Sequence, residues 1–151
     1  LQNRWARHGR GRCGQSGSAG DETGRIGQTG AMTSLVGQST PSYVVDEPLL
    51  RSITAEIQAA IPGAEVRLFG SRACGTARPD SDLDLLVTVP DDWLASHSRF
   101  EETGALGWKL AHHRIPIDLL LYSQQEVCER HRYRQHVVTE AYQNGRLLHA
   151  L

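Results

Sequence analysis

The chain has 151 residues, 39% of them apolar and 22% charged, with a net charge of −1. That length suits one domain with a real core and argues against a two-domain enzyme. The near-neutral charge argues against a bulk electrostatic grip on nucleic acid, and no apolar run approaches the roughly 20 residues of a membrane helix.

Residues 1–31 differ from the rest. They carry 8 of the 15 glycines and a net charge of +3, which leaves −4 for the remainder. Apolar residues are sparse there, so burial cannot offset the entropy of ordering, and the segment is expected to be disordered. It lacks the apolar stretch of a secretory signal. Aromatic residues other than Trp5 are missing, so direct nucleic-acid binding is not expected. The only methionine, Met32, comes next. The expectation is that residues 1–31 are upstream reading frame rather than native protein. Residues 32–45, polar with Pro41, read as a lead-in, and residues 46–151 as the folded domain.

Asp46 reads as a helix cap, with Glu47 and Pro48 in the first turn. Leu50, Ile53, Ile57 and Ala60 follow at helical spacing, and Pro62-Gly63 ends the run. Val66, Leu68 and Phe69 read as a strand. Gly70 to Ser81 reads as a turn-rich connection, and Leu83 to Val89 as a second strand. Leu94 to His113 has a helical pattern despite Gly104 and Gly107. Ile115 to Tyr122 reads as a third strand. Ser123 to Asn144 reads as a helix with Ser123 as N-cap and Glu126 completing a capping box. Asn144-Gly145 stops it, and Leu147 and Leu148 suit a short last strand. The order predicts a small α+β domain, a mixed sheet flanked by helices.

Three carboxylates carry the chemistry. Asp82 and Asp84 are two apart at the start of an apolar strand, so they share a face while Leu83 and Leu85 point to the core. Like charges side by side raise each other's cost of ionising. A hard divalent cation such as Mg²⁺ relieves that cost with carboxylate, water and phosphate oxygens. Asp118 sits within the apolar run from Ile115 to Leu121, where an unpaired buried charge costs several kcal/mol. It is tolerable if it faces the same cation. Three such carboxylates on adjacent strands suit two metals and an in-line displacement at phosphorus. Upstream, Gly70 lets backbone approach a ligand, Ser71 offers a hydroxyl and an N–H, and Arg72 adds positive charge. Alone, Asp-x-Asp reads as a solvated surface pair, and Gly-Ser after a strand as a common turn.

The spacing joins them. Gly70-Ser71, ten residues, then Asp82-Leu83-Asp84 form the pattern G-S-x10-D-x-D. From Leu68 to Val87 the sequence resembles the nucleotidyltransferase superfamily typified by DNA polymerase β, and most of all its minimal nucleotidyltransferases. The resemblance spans roughly Asp46 to Leu151. It implies a polymerase β-like fold, nucleotide binding by Gly70, Ser71 and Arg72, and two Mg²⁺ held by Asp82, Asp84 and Asp118. It also implies attack of an acceptor hydroxyl on the α-phosphate of ATP, with Asp118 helping to take the proton. Cys74 stands where many relatives carry arginine.

Minimal members often pair with a small helical HEPN toxin, and some neutralise it by moving AMP onto a tyrosine. The resemblance therefore implies a cytoplasmic antitoxin with a HEPN-type partner. The alternatives are transfer to a small molecule of antibiotic type, for which the domain leaves little acceptor pocket, and a non-catalytic module that neutralises its partner by contact.

Other features have simpler readings. Arg130 to His136 is a basic run, read as a solvated helical face with salt bridges to Glu126 and Glu129. His112 and His113 suit the negative end of a helix; adjacent side chains diverge on a helix, so no shared zinc is expected. Trp93, Leu106 and Trp108 read as core or lid contacts.

Overall fold

A computed structural model describes residues 42–150. The expectations for residues 1–31, and most of the lead-in, lie outside the described residues.

Helix α1 (Glu47–Ala60) begins where the Asp46 side chain accepts the Leu49 N–H at 2.9 Å. Its Leu50, Ile53 and Ile57 are buried on one stripe. Strand β1 (Glu65–Phe69) runs straight into the short helix α2 (Gly70–Cys74). Strand β2 (Leu83–Val89) follows, then α3 (Asp91–Ser96), α4 (Arg99–Leu110) and a 3-10 turn (Ala111–His113). Strand β3 (Ile117–Ser123), α5 (Gln124–Arg130), α6 (Val137–Gln143) and β4 (Arg146–Leu148) complete the described chain.

The four strands form one mixed sheet in the order β3-β2-β1-β4. β1 is antiparallel to β2 and β4, while β2 and β3 are parallel. Alternation divides each strand between two cores. Leu83, Leu85, Val87 and Val89 join Val66, Leu68, Leu119 and Leu121 under α1 and α4. Phe69 and Leu86 pack on the other side with Val127, Val138 and Ala141 of α5 and α6. The sheet is thus α+β and mixed with helices on both faces, as expected.

Several boundaries differ from the sequence reading. The span Leu94–His113 is two helices and a turn. The break falls at His97-Ser98, where the His97 ring stacks on Trp93 at 4.2 Å between centroids and the Ser98 hydroxyl caps α4. The span Ser123–Asn144 is also two helices. Thr139 Oγ1 sits within hydrogen-bond distance of the carbonyls of Arg130, His131 and Tyr133, and His136 caps α6, so residues 131–136 form a turn. The expected capping box at Ser123 and Glu126 is present. β3 starts at Ile117 because Pro116 has no N–H to give a ladder; its carbonyl instead accepts from Leu83 at 2.9 Å.

The side readings shift accordingly. Leu106 is buried and Trp93 packs at the core margin, but Trp108 is 85% exposed and is not a core residue. Glu126 makes its close ion pair with Arg99 at 2.6 Å, and Arg130 of the basic run acts on it only as a nearby charge. Arg130 lies 5.0 Å from the Tyr122 ring centre.

Candidate active site

The sheet register assembles the acidic residues. Phe69, Asp84 and Asp118 occupy one row across β1, β2 and β3. They lie on the face that carries α5 and α6, because residues two apart on a strand share a face. Asp82 immediately precedes β2, two residues before Asp84, and is exposed, as is Asp118; Asp84 is half-buried. Burial, with the negative charges of Asp118, Asp82 and Glu140, holds the Asp84 carboxyl above its ordinary value, and Arg72 draws it partly back. The residues expected to act together are therefore electrostatic neighbours.

Gly70 closes this site from β1. Its φ is +68°, the left-handed region that favours glycine, and a Cβ there would fall 2.3 Å from Asp84 Oδ2. Both constraints require glycine at this position. The expected turn from Gly70 to Ser81 thus opens with a helical turn, so that Gly70 and Ser71 start α2 directly after β1. The Ser71 carbonyl accepts from Thr76 N–H at 3.0 Å and fixes the exit.

Arg72 braces the following loop. Its Nε donates to the carbonyls of Ser81 at 3.0 Å and Asp82 at 3.2 Å, and a terminal nitrogen reaches Ser81 O at 2.5 Å. The guanidinium thereby sets the entry of Asp82 and Asp84 into β2. Cys74 ends the same short helix.

Sequence reasoning missed Glu140. It lies on α6, outside the motif, and no local spacing announces it; only the packing of α6 over β1 brings its charge toward Asp84. The donor set is oxygen-only and acidic, and Gly70 leaves the backbone close to Asp84. This chemistry fits a hard divalent cation.

A second cluster was not expected. Among the described residues, the ligand atoms of Glu56, His112 and His113 all lie within 4.8 Å of one another. The two imidazoles do share a target, contrary to the sequence reading. Adjacent helical positions diverge by about 100°, but Glu56 on α1 sits between the two directions, and both rings swing onto it from the 3-10 turn.

The family model described as a nucleotidyltransferase domain matches residues 50–147. No curated protein matched the sequence. Among solved structures, a candidate nucleotidyltransferase from Sulfolobus solfataricus is 20% identical, with a TM-score of 0.44 over 67% of this chain and 77% of that one. A crystal structure of a toxin–antitoxin with AMP-PNP is 24% identical, with a TM-score of 0.43 over 67% of this chain and 73% of that one.

Proposed function

The chain belongs to the nucleotidyltransferase domain family, and on that premise we propose that it transfers AMP from ATP to a hydroxyl, with pyrophosphate leaving from the α-phosphorus, in the cytoplasm, as an antitoxin acting on a tyrosine of a helical HEPN-type toxin. The observation that carries the reading of the site is the register that sets Asp84 opposite Asp118, with Asp82 two residues upstream and the Gly70 backbone against Asp84. The antitoxin role and its tyrosine acceptor rest on the resemblance of the Leu68–Val87 stretch to minimal nucleotidyltransferases.

Asp82, Asp84 and Asp118 would hold Mg²⁺, which when bound supplies charge neutralisation at the phosphates and eases deprotonation of the acceptor. Gly70 and Ser71 provide the close backbone approach for the triphosphate. Arg72 keeps Asp82 and Asp84 in place through the Ser81 and Asp82 carbonyls and offsets part of the acidic repulsion. Asp118 would take the proton of the incoming hydroxyl, a role that its exposure at the start of β3 supports. Positioning and charge do most of the work in such transfers.

The test is transfer from α-³²P-ATP with Mg²⁺ in lysate of the source cell, comparing wild type with Asp82→Asn/Asp84→Asn. A labelled band of protein size with wild type alone supports the proposal. A labelled small molecule would move the acceptor to the antibiotic class. Neutralisation of the partner by the double variant would mean that contact suffices.

A further inference from the structure

We propose that Glu56, His112 and His113 form a second metal site, selective for a borderline divalent cation of the zinc type and separate from the oxygen-only aspartate cluster. His113 Nε2 lies 2.9 Å and His112 Nε2 3.3 Å from the same Glu56 Oε1. Two ligands bound tetrahedrally at about 2.1 Å from zinc stand about 3.4 Å apart, so the side chains are already near coordinating separation.

The hydrogen bonding of His112 points the same way. Its Nδ1 lies 2.9 Å from the Lys109 carbonyl, which can only accept, so Nδ1 carries a proton. In a neutral ring the Nε2 lone pair then faces the Glu56 carboxylate. That repulsion is relieved by a cation between the two acceptors, either a second proton on the ring or a metal ion, and the third donor at His113 Nε2 suits the metal. A backbone carbonyl on the non-ligating nitrogen is also the usual outer partner that orients a metal-binding histidine.

The ligands are well placed for exchange and rigidity. His113 is only 9% exposed and His112 60%. Glu56 additionally accepts from Ser52 Oγ at 3.4 Å. Three protein ligands leave a fourth position open to solvent. Nitrogen donors suit zinc-type ions and discriminate against Mg²⁺. The site ties α1 to the turn that leads into β3, five residues before Asp118, so occupation would pin the segment that delivers that aspartate.

The test uses the untagged full-length chain and Zn²⁺ alone, by calorimetric titration, with Co²⁺ as a spectroscopic probe. Wild type is expected to take up one Zn²⁺ in the micromolar range or tighter and to melt at higher temperature when loaded. Asp82→Asn/Asp84→Asn should bind Zn²⁺ as wild type does. His112→Ala, at the more exposed position, should bind at least tenfold more weakly while keeping its fold, and Glu56→Gln likewise. The proposal is overturned if wild type takes up no Zn²⁺, if binding survives both substitutions, or if Co²⁺ shows a thiolate charge-transfer band that puts the metal on cysteine. None of these outcomes bears on nucleotidyl transfer, so the two readings fail independently.

Discussion

Asp84 and Asp118 stand directly opposite each other on parallel neighbouring strands. Strands lie about 4.8 Å apart, and both side chains leave the same face. The fold therefore holds two like charges together, and burial adds to the cost at Asp84. Such an arrangement opposes stability and suits a site that binds cations.

Asp84→Asn should consequently stabilise the protein at neutral pH. The folded state holds the Asp84 proton more tightly than the unfolded chain, whose aspartate titrates near 3.8. The favourable contribution of this group is present below that value and is lost as pH rises through the raised native pKa. We expect melting temperatures a few degrees above wild type at pH 7, with the gap closing below about pH 4. Mg²⁺ should raise the melting point of wild type more than that of the variant.

Gly70→Ala should damage both fold and site. A side chain at φ +68° is strained, and the new Cβ would displace the Asp84 carboxylate. A loss of about 1–3 kcal/mol in denaturant unfolding is expected, with loss of Mg·ATP binding. Unaltered nucleotide affinity would refute the close approach.

Arg72→Lys should loosen the loop before β2 at little cost to the core. A lysine cannot reproduce the forked contacts to Ser81 and Asp82. Hydrogen exchange of the amides of residues 76–82 should accelerate, while those of β1 stay protected. Transfer activity should fall at least tenfold.

Ser123→Ala removes half of the capping box on α5, whereas Glu126→Gln keeps an acceptor for the Ser123 N–H and removes only the charge that pairs with Arg99. The serine variant should lose about 1 kcal/mol. Partial burial pushes the Glu126 carboxyl up, but hydrogen bonds from Arg99 and the Ser123 N–H outweigh it and leave its pKa lowered. Its stabilising effect is thus present above the unfolded value of 4.5 and is lost as pH falls through the native one. Thermal melts of Glu126→Gln and wild type should differ at pH 7 and converge in acid.

The sequence by itself determined the elements whose signals are local. The Asp46 cap, the Leu50, Ile53 and Ile57 stripe of α1, the strand at Leu83–Val89 and the Ser123–Glu126 box are all set by neighbours within a few residues and stand as read, whereas Ala60, expected on the same stripe, is exposed at the end of α1. The G-S-x10-D-x-D spacing singled out the candidate site residues for the same reason, since Gly70 follows one strand and Asp84 enters the next. Tertiary structure alone decided what depends on distant partners. The helices broken at His97-Ser98 and at residues 131–136 carry continuous helical patterns, and the breaks arise from side chains that recapture the backbone. Trp108 faces outward because α4 buries Leu106 and Leu110 instead. Gly145 is required less as a helix stop than because the Ala141 and Leu68 carbonyls approach it too closely for a Cβ. Glu140 comes near Asp84, and His112 and His113 meet Glu56, only because α6 and α1 pack where they do. Local sequence encodes conformation and spacing, but the convergence of charges from separate elements is a property of how those elements pack.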